Sequence, residues 1–143
     1  MNENAIKPFE IALSQYGITE VSGKADNPEI LKYFDEIGFD GSRLKDETAW
    51  CSAFVNWCCK KTGKPFTGKL NARSWLNIGV ETLNPGLGDI VVLWRESPDS
   101  WKGHVGFFIK QDKSFVYVLG GNQSNQVKIS AYKKNRVLKY CII

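Results

Sequence analysis

A thiol and an imidazole together can break an amide bond without a metal. The thiol attacks the carbonyl, and the imidazole takes its proton and later passes one to the departing amine. The chain has four cysteines, Cys51, Cys58, Cys59 and Cys141, and a single histidine, His104. Cys51 falls in the first turn of a helix expected over 50–62. There, free backbone N–H groups and the positive helix end favour a thiolate and lower the thiol pKa. Cys51 stands between Trp50 and Ser52, outside any long apolar run. The plainer reading packs it into the core against Val55 and Cys58, and on local sequence the two readings are evenly matched. Cys58, Cys59 and Cys141 read as small buried hydrophobes, and the adjacent Cys58 and Cys59 are poorly placed to bridge each other. With no Cys-x-x-Cys pair and one histidine, no metal-ligand spacing is present, and no metal or cofactor is expected.

His104 opens a strand after the loop 95–103. On a strand, His104, Gly106 and Phe108 share one face, and Val105, Phe107 and Ile109 the other. For His104 to serve Cys51, the first of these faces must meet the start of the helix. Judged by spacing alone, a lone histidine is more often an exposed strand-edge residue. A third group should orient the imidazole. Asn122 stands at the end of the next strand, in Leu119-Gly120-Gly121-Asn122-Gln123, and its carboxamide could hold the ring without adding charge. Gln123 is the neighbouring alternative, or a donor to an oxyanion. Gly-Gly-Asn is also ordinary turn chemistry.

Positioning these groups falls to helices in the first half and strands in the second. Ile6, Phe9, Leu13 and Tyr16 trace one helical stripe that ends at Gly17. Asn27 caps a second helix with Pro28 in its first turn, an inner face of Ile30, Leu31, Phe34 and Ile37, and Gly38 as its stop. Asp46 or Thr48 could cap the third helix, Gly63 closes it, and a shorter helix covers 72–78 before Gly79. From residue 90 onward the period changes. Short β-branched and aromatic runs at 90–94, 105–109, 115–119, 127–129 and 137–142 are separated by Gly, Pro, Asp, Asn and Ser. Helices first and closely spaced strands afterwards predict an α+β domain with N-terminal helices packed on a C-terminal antiparallel sheet.

Composition bounds the answer. At 143 residues, 43% apolar and 24% charged, the chain reads as one globular domain over 1–143. No stretch approaches the roughly 20 apolar residues of a membrane span, and 1–7 lacks the apolar core of a signal peptide. The net charge of +4 is scattered, with no basic run of the nucleic-acid kind. Neither nucleic acid nor membrane insertion is expected.

The motifs together resemble the CHAP and NlpC-type group of papain-like cysteine wall hydrolases. Asp46-Glu47-Thr48-Ala49-Trp50-Cys51-Ser52-Ala53-Phe54-Val55-Asn56-Trp57 resembles the nucleophile segment. Pro85-Gly86-Leu87-Gly88-Asp89-Ile90-Val91-Val92 resembles the Gly-Asp-Ile strand, and Gly103-His104-Val105-Gly106-Phe107-Phe108 the histidine strand. Leu119-Gly120-Gly121-Asn122-Gln123 resembles the strand carrying the third polar residue, although many members have a carboxylate where this chain has Gly120. The pattern runs from about residue 5 to 142, and is similar to a single-domain subgroup of phage and bacterial genomes that carries Ala72-Arg73-Ser74-Trp75.

The resemblance implies hydrolysis of a peptidoglycan amide, either inside the stem peptide or at N-acetylmuramoyl-L-alanine. Cys51 would be the nucleophile, His104 the acid and base, Asn122 the orienting residue, and Gln123 a secondary or oxyanion group. Trp50, Arg73, Trp75 and Trp94 are then candidate substrate contacts, Arg73 through a stem-peptide carboxylate, while Trp57 within its helix reads as core. No signal peptide implies synthesis in the cytoplasm and action at the wall or periplasm after holin-dependent release or export, as a phage endolysin or an antibacterial effector would act. An effector would imply an immunity protein. The chain is expected to act as a monomer. Two rival classes share the motifs: a wall-binding module without turnover, which has no need of Cys51 and His104, and a cysteine deamidase or transpeptidase acting on protein.

Overall fold

The computed structural model describes residues 5–20, 27–41 and 49–143. Helix α1 is Pro8–Ser14 and opens on a proline, whose fixed φ suits a first turn. It buries Pro8 and Ala12, with Phe9 and Ile11 packed against the core. The stripe expected from the sequence is therefore misplaced: Ile6, Leu13 and Tyr16 are 58%, 48% and 55% exposed. The helix begins two residues after Ile6. Its inward face is fixed instead by Ala12 and by Gln15, whose Oε1 accepts from Tyr33 Oη at 2.8 Å.

Helix α2 is Pro28–Asp35, capped by Asn27 as expected, with the Asn27 side chain accepting from the Glu29 amide at 2.9 Å. It buries Ile30, Tyr33 and Phe34, while Leu31 and Ile37 are only half-buried. Tyr33, absent from the expected face, meets Phe54 and Trp57 with ring centroids at 5.0 and 4.9 Å. The glycines at 17, 38, 63 and 79 all have positive φ and end their segments as the sequence predicts.

Helix α3 is Cys51–Lys61 and is buried on every side from Cys51 to Cys59, because α1, α2 and the sheet all pack around it. Its N-cap is Trp50, which makes no side-chain capping bond. Asp46 and Thr48, the expected caps, lie outside the described residues. The short helix is a 3₁₀ helix, Ala72–Asn77.

Six strands follow: β1 Val80–Glu81, β2 Ile90–Trp94, β3 Gly103–Gln111, β4 Phe115–Gln123, β5 Gln126–Lys133 and β6 Val137–Ile142. They form one antiparallel sheet in the order β1-β6-β2-β3-β4-β5, so the fold is α+β as the residue pattern predicts. Strand β1 goes unforeseen, since two exposed residues carry no period. One side of the sheet, with Ile90, Val92, Val105, Phe107 and Leu119, builds the main core with α3. The other side gathers Val91, Leu93, Phe108, Val116 and Val118 beneath Tyr132, Val137 and Tyr140.

Candidate active site

Register decides where the histidine sits. His104 lies directly opposite Leu93, on the side of the sheet that α3 does not cover, and Val105 and Phe107 face the helix. The condition set for His104, that its face of the strand meet the start of α3, is not met by the face as a whole, and the exposed strand-edge reading is not met either, since His104 is buried. The helix takes the larger apolar pair beneath it. Cys51 nevertheless reaches the same end of β3, where the backbone of Val105, the residue after His104, hydrogen-bonds toward its sulfur, as do the backbones of Ser52 and Cys51 itself.

Burial at this end of β3 is nearly complete. Cys51 and His104 are each 5% exposed. Desolvation raises the Cys51 thiol pKa above its ordinary value, outweighing the backbone hydrogen bonds and the positive charge of Arg95. This reverses the lowered thiol pKa expected at a helix start. Desolvation also pushes His104 down to about 4, with Arg95 and Arg136 acting in the same direction and the Gln123 hydrogen bond against it. Both effects favour the uncharged pair, thiol and neutral imidazole.

Gln123 fixes the histidine. Its Oε1 lies 2.8 Å from His104 Nε2, and its Nε2 donates to the carbonyls of Val118 and Lys128 at 3.0 and 2.6 Å. With both amide hydrogens given to carbonyls, Oε1 can only accept, so the imidazole carries its proton on Nε2 and presents Nδ1 as a base. The orienting carboxamide is therefore Gln123 and not Asn122. The same two bonds leave Gln123 no hydrogen for an oxyanion, so that expected role is also corrected.

The exchange has a backbone cause. Phe107 pairs with Leu119 and Phe108 with Val118, and continuing that register would bring Asn122 opposite His104. Asn122 instead takes φ +58°, and the β4–β5 register shifts between Gly120 and Gln123. The bulge turns the next side chain onto His104. Gly120 makes room for it: a Cβ there would stand 2.7 Å from Gln123 Oε1 and 3.4 Å from His104 Nε2. Gly121 does the same for α3, since its Cβ would fall 2.6 Å from the Trp50 ring and 2.9 Å from Phe54 Cβ.

Two cavities flank this centre. One of about 230 Å³ is lined by Cys51, Leu70, Asn71, Trp101 and Gly103 among others; another of about 410 Å³ is lined by His104, Asn122, Tyr132 and Arg136 among others. Ala49 and Arg95 line both. Asn122 is thus at the site as a wall of the larger cavity.

Of the expected substrate contacts, Trp50 and Trp75 are fully buried, their Nε1 atoms donating to Glu20 Oε1 at 2.6 Å and Ser52 Oγ at 3.0 Å. They are core, as is Trp57, expected as such and 4% exposed. Arg73 donates to the carbonyls of Lys102, Pro98 and Ser97 at 2.8, 2.7 and 3.0 Å, which commits it to stapling that loop. Trp94 is half-buried beside a neighbouring groove with Phe115, Tyr132 and Arg136. Sequence reasoning passed over Trp101, which is 75% exposed beside Cys51, and over Arg95, Tyr132 and Arg136. Trp101 and Arg95 both flank the His104 segment, and that adjacency was the available signal. Cys58, Cys59 and Cys141 are unbridged and fully buried, as expected.

The model of the CHAP domain family matches residues 43–122. A solved protein from Staphylococcus aureus, described as similar to a lipoprotein of the NLP/P60 family, has the same fold. Its TM-score is 0.52 at 14% identity, over 100% of this chain and 45% of that one. The chain thus spans less than half the length of that relative. No curated protein sequence matches.

Proposed function

The chain belongs to the CHAP domain family of peptidoglycan-related hydrolases, and from that premise we propose that it cleaves a peptidoglycan amide bond through a Cys51 thioester. The observation that supports this most is that Cys51, bonded by the backbone of Val105, lies at the same end of β3 as His104, whose imidazole Gln123 holds as an Nδ1 base.

In this mechanism Cys51 Sγ attacks the carbonyl carbon while His104 Nδ1 accepts the thiol proton. An uncharged resting pair makes that proton transfer part of the attack instead of a preceding step. The backbone N–H of Cys51 at the helix start, bonded toward its own sulfur at rest, is the donor assigned to the oxyanion. The tetrahedral adduct collapses, the C–N bond breaks, and His104 returns its proton to the departing amine. Water, deprotonated by His104, then attacks the thioester, releasing the carboxylic acid and restoring the thiol. Gln123 holds the ring throughout both half-reactions without contributing charge.

The exposed indole of Trp101 offers a stacking face on the Cys51 side of the cleft. The bond cut is a stem-peptide amide or the muramoyl–L-alanine amide. The test is mass spectrometry of fragments released from purified peptidoglycan by the wild type and by Cys51→Ala. Fragments made only by the wild type, with new amino termini, support the reading and name the bond. No release from several wall types, with Cys51 inert to alkylation, refutes it.

A further inference from the structure

The cations near the cleft differ in how they are occupied. Arg73 spends its guanidinium on three loop carbonyls, and Lys102 Nζ pairs with Glu96 at 2.7 Å. Arg136 donates from Nε and Nη2 to the Trp94 carbonyl and lies 5.5 Å from the ring centroids of both Trp94 and Tyr132. The Arg95 guanidinium alone of these four cationic groups has no hydrogen bond or ion pair with any described residue, its backbone being bonded to Lys102 and Ser97. It is exposed, and it lines both the Cys51 cavity and the His104 cavity. The His104 cavity has a second guanidinium in Arg136 and, among the described residues, no acidic side chain in its lining.

We propose that Arg95, supported by Arg136, forms a subsite for a carboxylate of the substrate. A guanidinium left without an acceptor beside two reacting groups, in a polar cavity to which the described residues bring no carboxylate, is complementary to a planar anion. Its side of the cleft follows from the mechanism proposed above, on which this step rests. His104 protonates the departing amine, so the leaving fragment occupies the cavity of His104, Tyr132 and Arg136. The leaving fragment therefore carries a carboxylate close to its new amino terminus. The charge of Arg95 is also felt at both reacting groups, favouring the thiolate of Cys51 and disfavouring the imidazolium of His104.

Two haloacetyl reagents of one size test the anion site without any assumption about the natural substrate. Iodoacetate carries the carboxylate and iodoacetamide does not, and both alkylate the same sulfur. The ratio of their second-order rates at Cys51, read by mass spectrometry on the full chain, cancels the thiolate fraction. We expect that ratio to exceed the ratio for a free cysteine about tenfold, the scale of one partly desolvated charge pair. It should fall to the free-cysteine value in Arg95→Gln and be largely kept in Arg95→Lys. Since the Arg95 side chain holds no other described residue, both variants should fold. A wild-type ratio equal to that of free cysteine, or one unmoved by Arg95→Gln, overturns the proposal.

A second arm uses two muropeptides with the same acyl part, whose leaving fragment ends in a carboxylate or a carboxamide. A kcat/KM preference for the carboxylate that disappears in Arg95→Gln places the anion on the leaving side. Equal cleavage of the two overturns that placement. Cleavage of neither, with the iodoacetate preference intact, supports the anion site and rejects the peptidoglycan reading.

Discussion

His104 should make the fold itself sensitive to acid. In the folded protein its imidazole protonates only near pH 4, because burial, aided by Arg95 and Arg136, penalises the charged ring. In the unfolded chain the same ring titrates near 6.5. Between those values the unfolded state binds the extra proton, so stability rises with pH and falls as the solution is acidified through that window. Each pH unit between the two titrations is worth about 1.4 kcal/mol. Taking both titrations into account, acidifying from about pH 7.5 to about pH 5 should cost about 2 kcal/mol through His104 alone. Urea unfolding of wild type and His104→Asn at both pH values measures it. Glu36, Glu96 and Asp112, whose pKa values are lowered in the fold, also lose stability as pH falls. They are common to both proteins and cancel in the double difference. The expected result is a wild-type loss about 2 kcal/mol greater than that of His104→Asn. Parallel losses would refute the buried, neutral imidazole and, with it, the resting state from which the mechanism starts.

Five further outcomes follow from the same geometry. Activity should persist well below pH 6 and fall on an acid limb near about 4, where His104 takes its second proton, as a pH profile of kcat/KM would read. Gln123→Ala should lower kcat by about 10- to 100-fold and cost about 1–3 kcal/mol by stripping the Val118 and Lys128 carbonyls of their donors. Asn122→Ala should leave most activity intact, and a larger kcat loss there than in Gln123→Ala would reverse the assignment. Gly120→Ala should displace Gln123 from His104 and reduce turnover, detected as lost activity with the far-UV spectrum unchanged. Iodoacetamide should label Cys51, 5% exposed, before the fully buried Cys58, Cys59 and Cys141, whose thiols burial also makes poor nucleophiles.

What could be read in advance follows the reach of each signal. The short β-branched and aromatic runs at 90–94 and 137–142 are local signals, and those strands stand where the runs put them. The α1 stripe fails because Ile6, Leu13 and Tyr16 are apolar but face outward, and the inward face depends on a tyrosine eighteen residues away. The cysteine and the histidine are not legible from local settings alone; they become candidates only when the motifs are taken together, and the structure buries both at one end of β3. The orienting carboxamide is not legible even then, because strand parity favours Asn122 until a single left-handed residue shifts the count by one. Trp50, Trp75 and Arg73 look like surface ligands from sequence, since a polar group on a large side chain invites a partner. Here the partners are Glu20, Ser52 and three loop carbonyls, none of them near in sequence.

Strand β6 is last along the chain yet interior to the sheet, ladder-bonded to β2 on one side and β1 on the other. During synthesis, β2 through β5 can form their hairpin-like pairings as they emerge, but the other side of β2 stays open until Ile142 has cleared the ribosome. At about 5–20 residues per second, the roughly 50 residues after β2 leave that bonding edge unsatisfied for several seconds. The growing polypeptide passes that interval with the backbone groups on the β6 side of β2 unpaired, although α3, already made, can cover Ile90 and Val92.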